Sequence, residues 1–151
     1  MWKKFLLVLL GLFVFIQFIR PKKNEGNLDG PNDIAQVLQV PEEVKTILHA
    51  SCYDCHSNRT QYPLYSRIMP FGWWLNHHIE EGKEHLNFSE FGSYSKEKQD
   101  HKLEETEEEV KEGEMPLSSY TFIHGEAKLS KEQVALLTDW VEKTRKELEL
   151  N

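Results

Sequence analysis

The chain has 151 residues, 39% apolar, 28% charged and 11% aromatic, with eight Gly and six Pro: one domain's worth, and neither disordered, fibrous nor polytopic in composition. Lys and Arg total 18 against 25 Asp and Glu, and five of the bases (Lys3, Lys4, Arg20, Lys22, Lys23) precede residue 24 with no acid among them, which leaves 13 bases against 25 acids, a net of −12, in the remainder. A body that acidic, without a basic stripe interleaved with aromatics, argues against nucleic acid as a partner and for approach by basic ones.

Phe5 to Ile19 is an apolar run interrupted only by Gly11 and Gln17 and preceded by Lys3 and Lys4. It ends in Gln17, Phe18, Ile19, Arg20 and Pro21 rather than in the small residues of a cleavage site, so residues 1–21 are expected to form an uncleaved, single-pass membrane anchor. The run would span only about 22 Å of a hydrocarbon core of roughly 30 Å, and Trp2 and the flanking bases would have to reach the interfaces. Residues 22–39, with Gly, Pro, Asn and Asp in their first half, are expected as a linker with a short helical turn at its end, and 40–151 as the folded domain.

Pro41 suits the start of a helix whose apolar stripe is Val44, Ile47 and Leu48, running to about Ser51. A second helix is expected from Ser66 or Gly72 to Glu81, stopped by Gly82. Lys96 to Lys111 is helix-forming, with Leu103 and Val110 on one side and a glutamate-covered remainder that reads as a solvated face. The last helix starts at a capping box, Ser130 with Gln133, and a staple, Leu129 with Val134, and its stripe is Val134, Leu137, Trp140 and Val141. With no sustained period-two alternation and no hairpin turn signal, the fold class is all-α, a small helical domain with long loops. Its modest core leaves room for a bound cofactor as an organising element.

The only cysteines stand in Cys52-Tyr53-Asp54-Cys55-His56, the c-type haem attachment pattern. Two thiols three residues apart can add to the two vinyl groups of one porphyrin edge while the next residue's imidazole reaches the iron. The pattern predicts one covalent haem c per chain, on Cys52 and Cys55, with His56 as proximal ligand; a CxxC redox disulfide or a half-site for zinc are the alternatives. Because such attachment takes place outside the bacterial inner membrane, the domain is expected to face the periplasm from a single inner-membrane helix.

A second axial ligand would favour electron transfer, whereas an open position would allow a peroxide- or gas-handling enzyme or sensor. Met115 is the first candidate, since Gly113 and Pro116 break the helix around it. His77 and His78, on the predicted second helix beside Trp73 and Trp74, come next, and Met69, only 13 residues after His56, third. Trp73, Trp74, Phe71, Tyr62 and Tyr65 could wall the porphyrin. His85, His101 and His124 stand in polar surroundings and read as solvated. There is no Gly-rich phosphate loop, no Gly-x-Ser-x-Gly elbow and no His-Glu-x-x-His, so hydrolase or kinase chemistry has no support.

Beyond the haem motif, the chain carries Ile16-Gln17-Phe18-Ile19-Arg20-Pro21, Cys52-Tyr53-Asp54-Cys55-His56-Ser57-Asn58, Tyr62-Pro63-Leu64-Tyr65-Ser66 and Glu81-Gly82-Lys83. It continues with His85-Leu86-Asn87-Phe88-Ser89-Glu90-Phe91 and Gly113-Glu114-Met115-Pro116-Leu117-Ser118-Ser119-Tyr120. Together these resemble the bacterial haem-binding domain proteins of the cytochrome c type, single-anchor proteins with one CxxCH, over nearly the whole chain. The resemblance implies covalent haem c on Cys52 and Cys55, iron ligation by His56, and a place near respiratory or peroxidase-type electron transfer. The chain departs from familiar small cytochromes c in the aromatic-rich stretch Tyr62 to Trp74 and in a Leu86–Phe91 segment with no evident role. The expected function is therefore single-electron transfer rather than catalysis, with a redox protein presenting a basic docking surface as partner.

Overall fold

Val44, Ile47 and Leu48 share a side only if the chain turns every 3.6 residues, and in the computed structural model, which describes residues 1–149, they are buried together on one helix. The elements in chain order are α1 (Trp2–Ile16), α2 (Ile34–Val37), α3 (Glu42–Ser51), α4 (Tyr53–His56), α5 (Phe71–His85), α6 (Lys96–Glu112), α7 (Ser118–Thr121) and α8 (Lys131–Glu149). Short 3-10 turns at Leu64–Arg67, Phe88–Ser93 and Gly125–Ala127 join them. Among the described residues there is no strand, only an isolated bridge between Glu25 and Arg59. The all-α expectation thus holds.

The core lies where α6 and α8 pack as a pair and α3 closes on α8. Leu103 and Val110 of α6 meet Leu137, Trp140 and Val141 of α8 in the same cluster as the α3 stripe, with Phe88 and Phe91 from the loop after α5. The starts and stops follow the side chains. Ser130 Oγ accepts from the Gln133 N–H at 3.2 Å while Gln133 Oε1 accepts from the Ser130 N–H at 2.9 Å, the reciprocal box read from the sequence. Ser95 caps α6, and Gly113 ends it in the left-handed region at φ 78°, where a side chain would be strained. Arg145 of α8 forks onto Asp100 and Glu104 of α6, each at 2.8 Å, locking the register of the pair.

Residues 22–39, expected as a linker, lie along this body. Ile34 is fully buried, Asp33 caps α2 by accepting from the Ala35 N–H at 2.9 Å, and the Asn24 and Gly26 N–H groups donate to Tyr62 Oη and the Asn58 carbonyl. The turn signals there mark a strap tied down by backbone hydrogen bonds.

The N-terminal expectation is overturned. α1 has only 15 residues, and among the described residues no helix is long and apolar enough to cross a membrane, which removes the transmembrane helix and with it the single-pass inner-membrane location. The physical reason is length: 15 residues at 1.5 Å each fall well short of a core of roughly 30 Å. α1 buries none of its own residues and joins the rest just beyond its end. There the Gln17 amide exchanges two hydrogen bonds with the Met69 backbone, at 2.9 and 3.0 Å, and Trp73 Nε1 donates to the Ile19 carbonyl at 2.7 Å.

Candidate functional site

α3 stops at Cys52, the chain bends, and the single turn of α4 carries Cys55 and His56. This elbow abuts α5 at Gly82. A Cβ on Gly82 would come within 2.9 Å of the Cys55 carbonyl, closer than real side chains approach, and within a tight 3.1 Å of the Cys55 Cβ. Gly82 therefore does not end the second helix, as its usual meaning suggests; α5 continues to His85, and the glycine lets the elbow sit directly on it.

Cys52, Cys55 and His56 face a cavity of about 510 Å³, in the range that small-molecule and cofactor sites occupy. Leu86 and Phe88 line it beside His56, α5 contributes His78, Glu81 and His85, and α6 presents Lys102, Glu105, Thr106, Glu109 and Val110. Met115, Pro116 and Leu117, from the loop after α6, and Tyr120 complete the lining. Its walls are mostly apolar, with carboxylates grouped along α5 and α6.

The His56 ring is fixed and keeps one nitrogen free. Its Nδ1 lies 3.1 Å from the Leu86 carbonyl, an acceptor only, so Nδ1 carries the proton and donates, and Nε2 is left as a lone-pair donor atom. Burial holds the imidazole below its ordinary pKa, so the neutral, ligating form is the stable one near neutrality. Phe88 packs edge-on to the ring at 6.3 Å and stacks on Tyr53 at 5.4 Å, and the Tyr53 hydroxyl donates to Asp33 at 3.1 Å.

Both cysteines are free thiols, and burial pushes Cys52 up to about 12 and Cys55 to about 11. That is opposite to the lowered pKa of a redox-active CxxC. Asp54 between them is tied on two sides, accepting from the Gln61 N–H at 2.9 Å and from the Tyr120 hydroxyl at 2.7 Å. Among the described residues no group of three or more His, Cys, Asp or Glu is disposed to hold a metal ion by itself, so the zinc alternative finds no partners for the motif.

The family model for the haem-binding domain matches residues 11–143. The chain belongs to the haem-binding domain family. Comparison with curated proteins and with solved structures returns no match. The residues of this haem-binding domain fit its namesake group: two thiols and a neutral imidazole with a free Nε2 open onto one largely apolar cavity.

Of the other expected site residues, Met115 and His78 line that cavity, and His77 does not; it lies two-thirds exposed on α5, its Nε2 3.3 Å from Glu81. Met69 is buried against Gly72, away from the cavity. Trp73 and Trp74, expected to wall the porphyrin, are not among the residues that line the cavity. Trp73 reaches back to Ile19, and Trp74, 36% exposed, packs edge-on against His78 at 4.7 Å, because α5 turns the indoles away from the elbow that Gly82 contacts.

Sequence reasoning missed four features. His85 was read as solvated and lines the cavity, and so do Lys102, Glu105, Thr106 and Glu109, whose helical spacing was visible but hidden under an acidic face. Tyr120 and the Leu86 carbonyl carry no local signal at all, since both act through chain segments far from the motif.

Proposed function

We propose that this haem-binding domain carries one covalent haem c on Cys52 and Cys55, with His56 Nε2 and Met115 as axial ligands, and that it passes single electrons. One observation carries the reading: the His56 Nδ1 proton is committed to the Leu86 carbonyl in the same cavity that holds both thiols, which leaves Nε2 as an oriented donor. Met115 is favoured over His78 because it lines the cavity from the loop after α6, whereas His78 is engaged by Glu81 and the Trp74 edge. Thioether ligation raises the reduction potential relative to a second imidazole.

Haem supplies the one-electron couple when bound. The chain's contribution is to hold and shield: Cys52 and Cys55 anchor, Leu86 orients His56, and Phe88 and Val110 give apolar wall that excludes water. The carboxylates of Glu81, Glu105 and Glu109 at the mouth favour the more positive oxidised state and a basic redox partner.

The test is expression of the full chain with a c-type haem-maturation system, then a pyridine haemochrome spectrum after denaturation. Covalent haem is expected, lost in Cys52→Ser/Cys55→Ser, with the weak far-red band of Met-ligated ferric haem absent in Met115→Ala. Covalent haem that is high-spin and takes up carbon monoxide without displacing a protein ligand would replace electron transfer by ligand binding. No covalent haem would overturn the proposal.

A further inference from the structure

The segment Leu86-Asn87-Phe88-Ser89-Glu90-Phe91 lies outside the attachment motif, yet it is hydrogen-bonded both to His56 and to the residues that follow the motif. α5 ends where the Leu86 N–H bonds back to the Gly82 carbonyl at 2.9 Å, and the chain then turns extended. The next peptide unit is gripped at both ends. Its carbonyl, that of Leu86, faces His56 Nδ1 at 3.1 Å, and its N–H, that of Asn87, donates to Tyr94 Oη at 3.1 Å.

The Asn87 side chain fixes the same unit from a third direction. Its Oδ1 accepts from the Ser89 N–H at 3.1 Å and its Nδ2 donates to Asn58 Oδ1 at 2.8 Å, and Asn58 stands two residues after His56. Asn58 closes the ring by donating from Nδ2 to Glu90 at 2.7 Å and from its N–H to Ser89 Oγ at 3.2 Å. Asn87 and Ser89 are buried, so these groups would be costly to leave unpaired. The loop and the tail of the attachment motif are thus one hydrogen-bonded body, and the peptide plane that orients the imidazole cannot rotate without breaking it.

We propose that Asn87 and Tyr94 are positioning residues that hold the Leu86 carbonyl on His56 Nδ1 and thereby set the electron density at the ligating Nε2. A Tyr hydroxyl bonded to one end of a peptide polarises its carbonyl at the other. A stronger acceptor at Nδ1 makes the imidazole a better donor at Nε2 and favours the oxidised metal. This inference rests on the haem reading for its redox consequence but not for the geometry of the ring.

Two readouts test it on the full chain. In the haem-free protein at pH 8, nitrogen NMR of labelled histidine reads the His56 tautomer directly. The wild type is expected in the Nδ1–H form, and Tyr94→Phe, which keeps the ring and removes only the hydroxyl, is expected to shift the tautomer ratio about twofold toward Nε2–H, the polarisation share of one hydrogen bond. Asn87→Ala shifts it in the same direction and further. In the haem-loaded protein both variants raise the reduction potential.

Thr144→Val is the control, since on α8 it loses a buried hydrogen bond to the Trp140 carbonyl without touching the Leu86 peptide, and it leaves tautomer and potential unchanged. If Asn87→Ala fails to fold, Tyr94→Phe decides alone. A folded Tyr94→Phe protein with wild-type tautomer ratio overturns the proposal. Failure of haem attachment would sink the redox reading while the tautomer measurement still decides this one.

Discussion

The two sides of the cavity are built differently. On the His56 side several segments converge on the attachment elbow: Asp54 accepts from the Gln61 N–H and from the Tyr120 hydroxyl of α7, the His56 ring faces the Leu86 carbonyl, and Phe88 is wedged between the Tyr53 and His56 rings. On the Met115 side the chain leaves α6 through Gly113, and the Glu114 and Met115 N–H groups share a single acceptor, the Glu109 carbonyl, at 3.0 and 3.1 Å. One wall is preorganised, the other is a backbone loop that can adjust. That division suits a group attached covalently at the elbow and met by a softer ligand from the loop after α6.

The sharpest way to break the contrast is to hollow out the ordered side. Phe88 is 2% exposed, and Phe88→Ala removes the ring between Tyr53 and His56, so a loss of about 3–5 kcal/mol is expected in urea unfolding of the haem-free chain. A loss below about 1 kcal/mol would show that this wall is not preorganised without haem. Gly82→Ala comes next. The added methyl gains helix propensity but meets the Cys55 carbonyl at 2.9 Å, and overpacking wins by about 1–3 kcal/mol. Haem attachment should fall in parallel, because the displaced element carries Cys55; unchanged stability and attachment would mean that the elbow can retreat freely.

The same division explains what the sequence showed. The attachment motif was legible because its chemistry lies in five consecutive residues, and α3, α6 and α8 were legible because their apolar stripes and caps are local. Gly82 was misread because a glycine that stops a helix and one that admits a neighbouring backbone look alike until the neighbour is known. Trp73 and Trp74 were offered as porphyrin walls for the chemistry of their indoles, but the face that α5 buries is Gly72, Leu75 and Ile79, and which way the indoles then turn has no local signal. The α6 face looked solvated because charge masks a cavity wall when the cavity itself is missing from the sequence. The N-terminal run failed on length alone, since composition suggested a span that 15 helical residues do not reach.

On the adjustable side, Met115→Leu should cost less than about 1.5 kcal/mol, because the substitution conserves volume in a partly buried loop. Its effect should appear instead in the loaded protein, as loss of the Met-ligation band. A stability loss as large as that of Phe88→Ala would erase the distinction between the two walls.

The smallest expected effect lies at the outer end of the ordered side and carries a sign. Burial raises the pKa of Asp33, against the opposing pull of the Ala35 N–H and the Tyr53 hydroxyl. The folded state therefore holds the Asp33 proton more tightly than the unfolded one, so this group's contribution is fully present below the unfolded value near 3.9 and is lost as pH rises through the higher folded value. At neutral pH the carboxylate is a net liability that Asn would lack. An amide oxygen can still accept from both the Ala35 N–H and Tyr53, so Asp33→Asn should be slightly more stable than wild type at pH 7, with the difference vanishing toward pH 3. Denaturation midpoints across that range check it. A variant less stable than wild type at neutral pH would show that the charge on Asp33, through its bonds to α2 and Tyr53, strengthens the ordered wall by more than its desolvation costs.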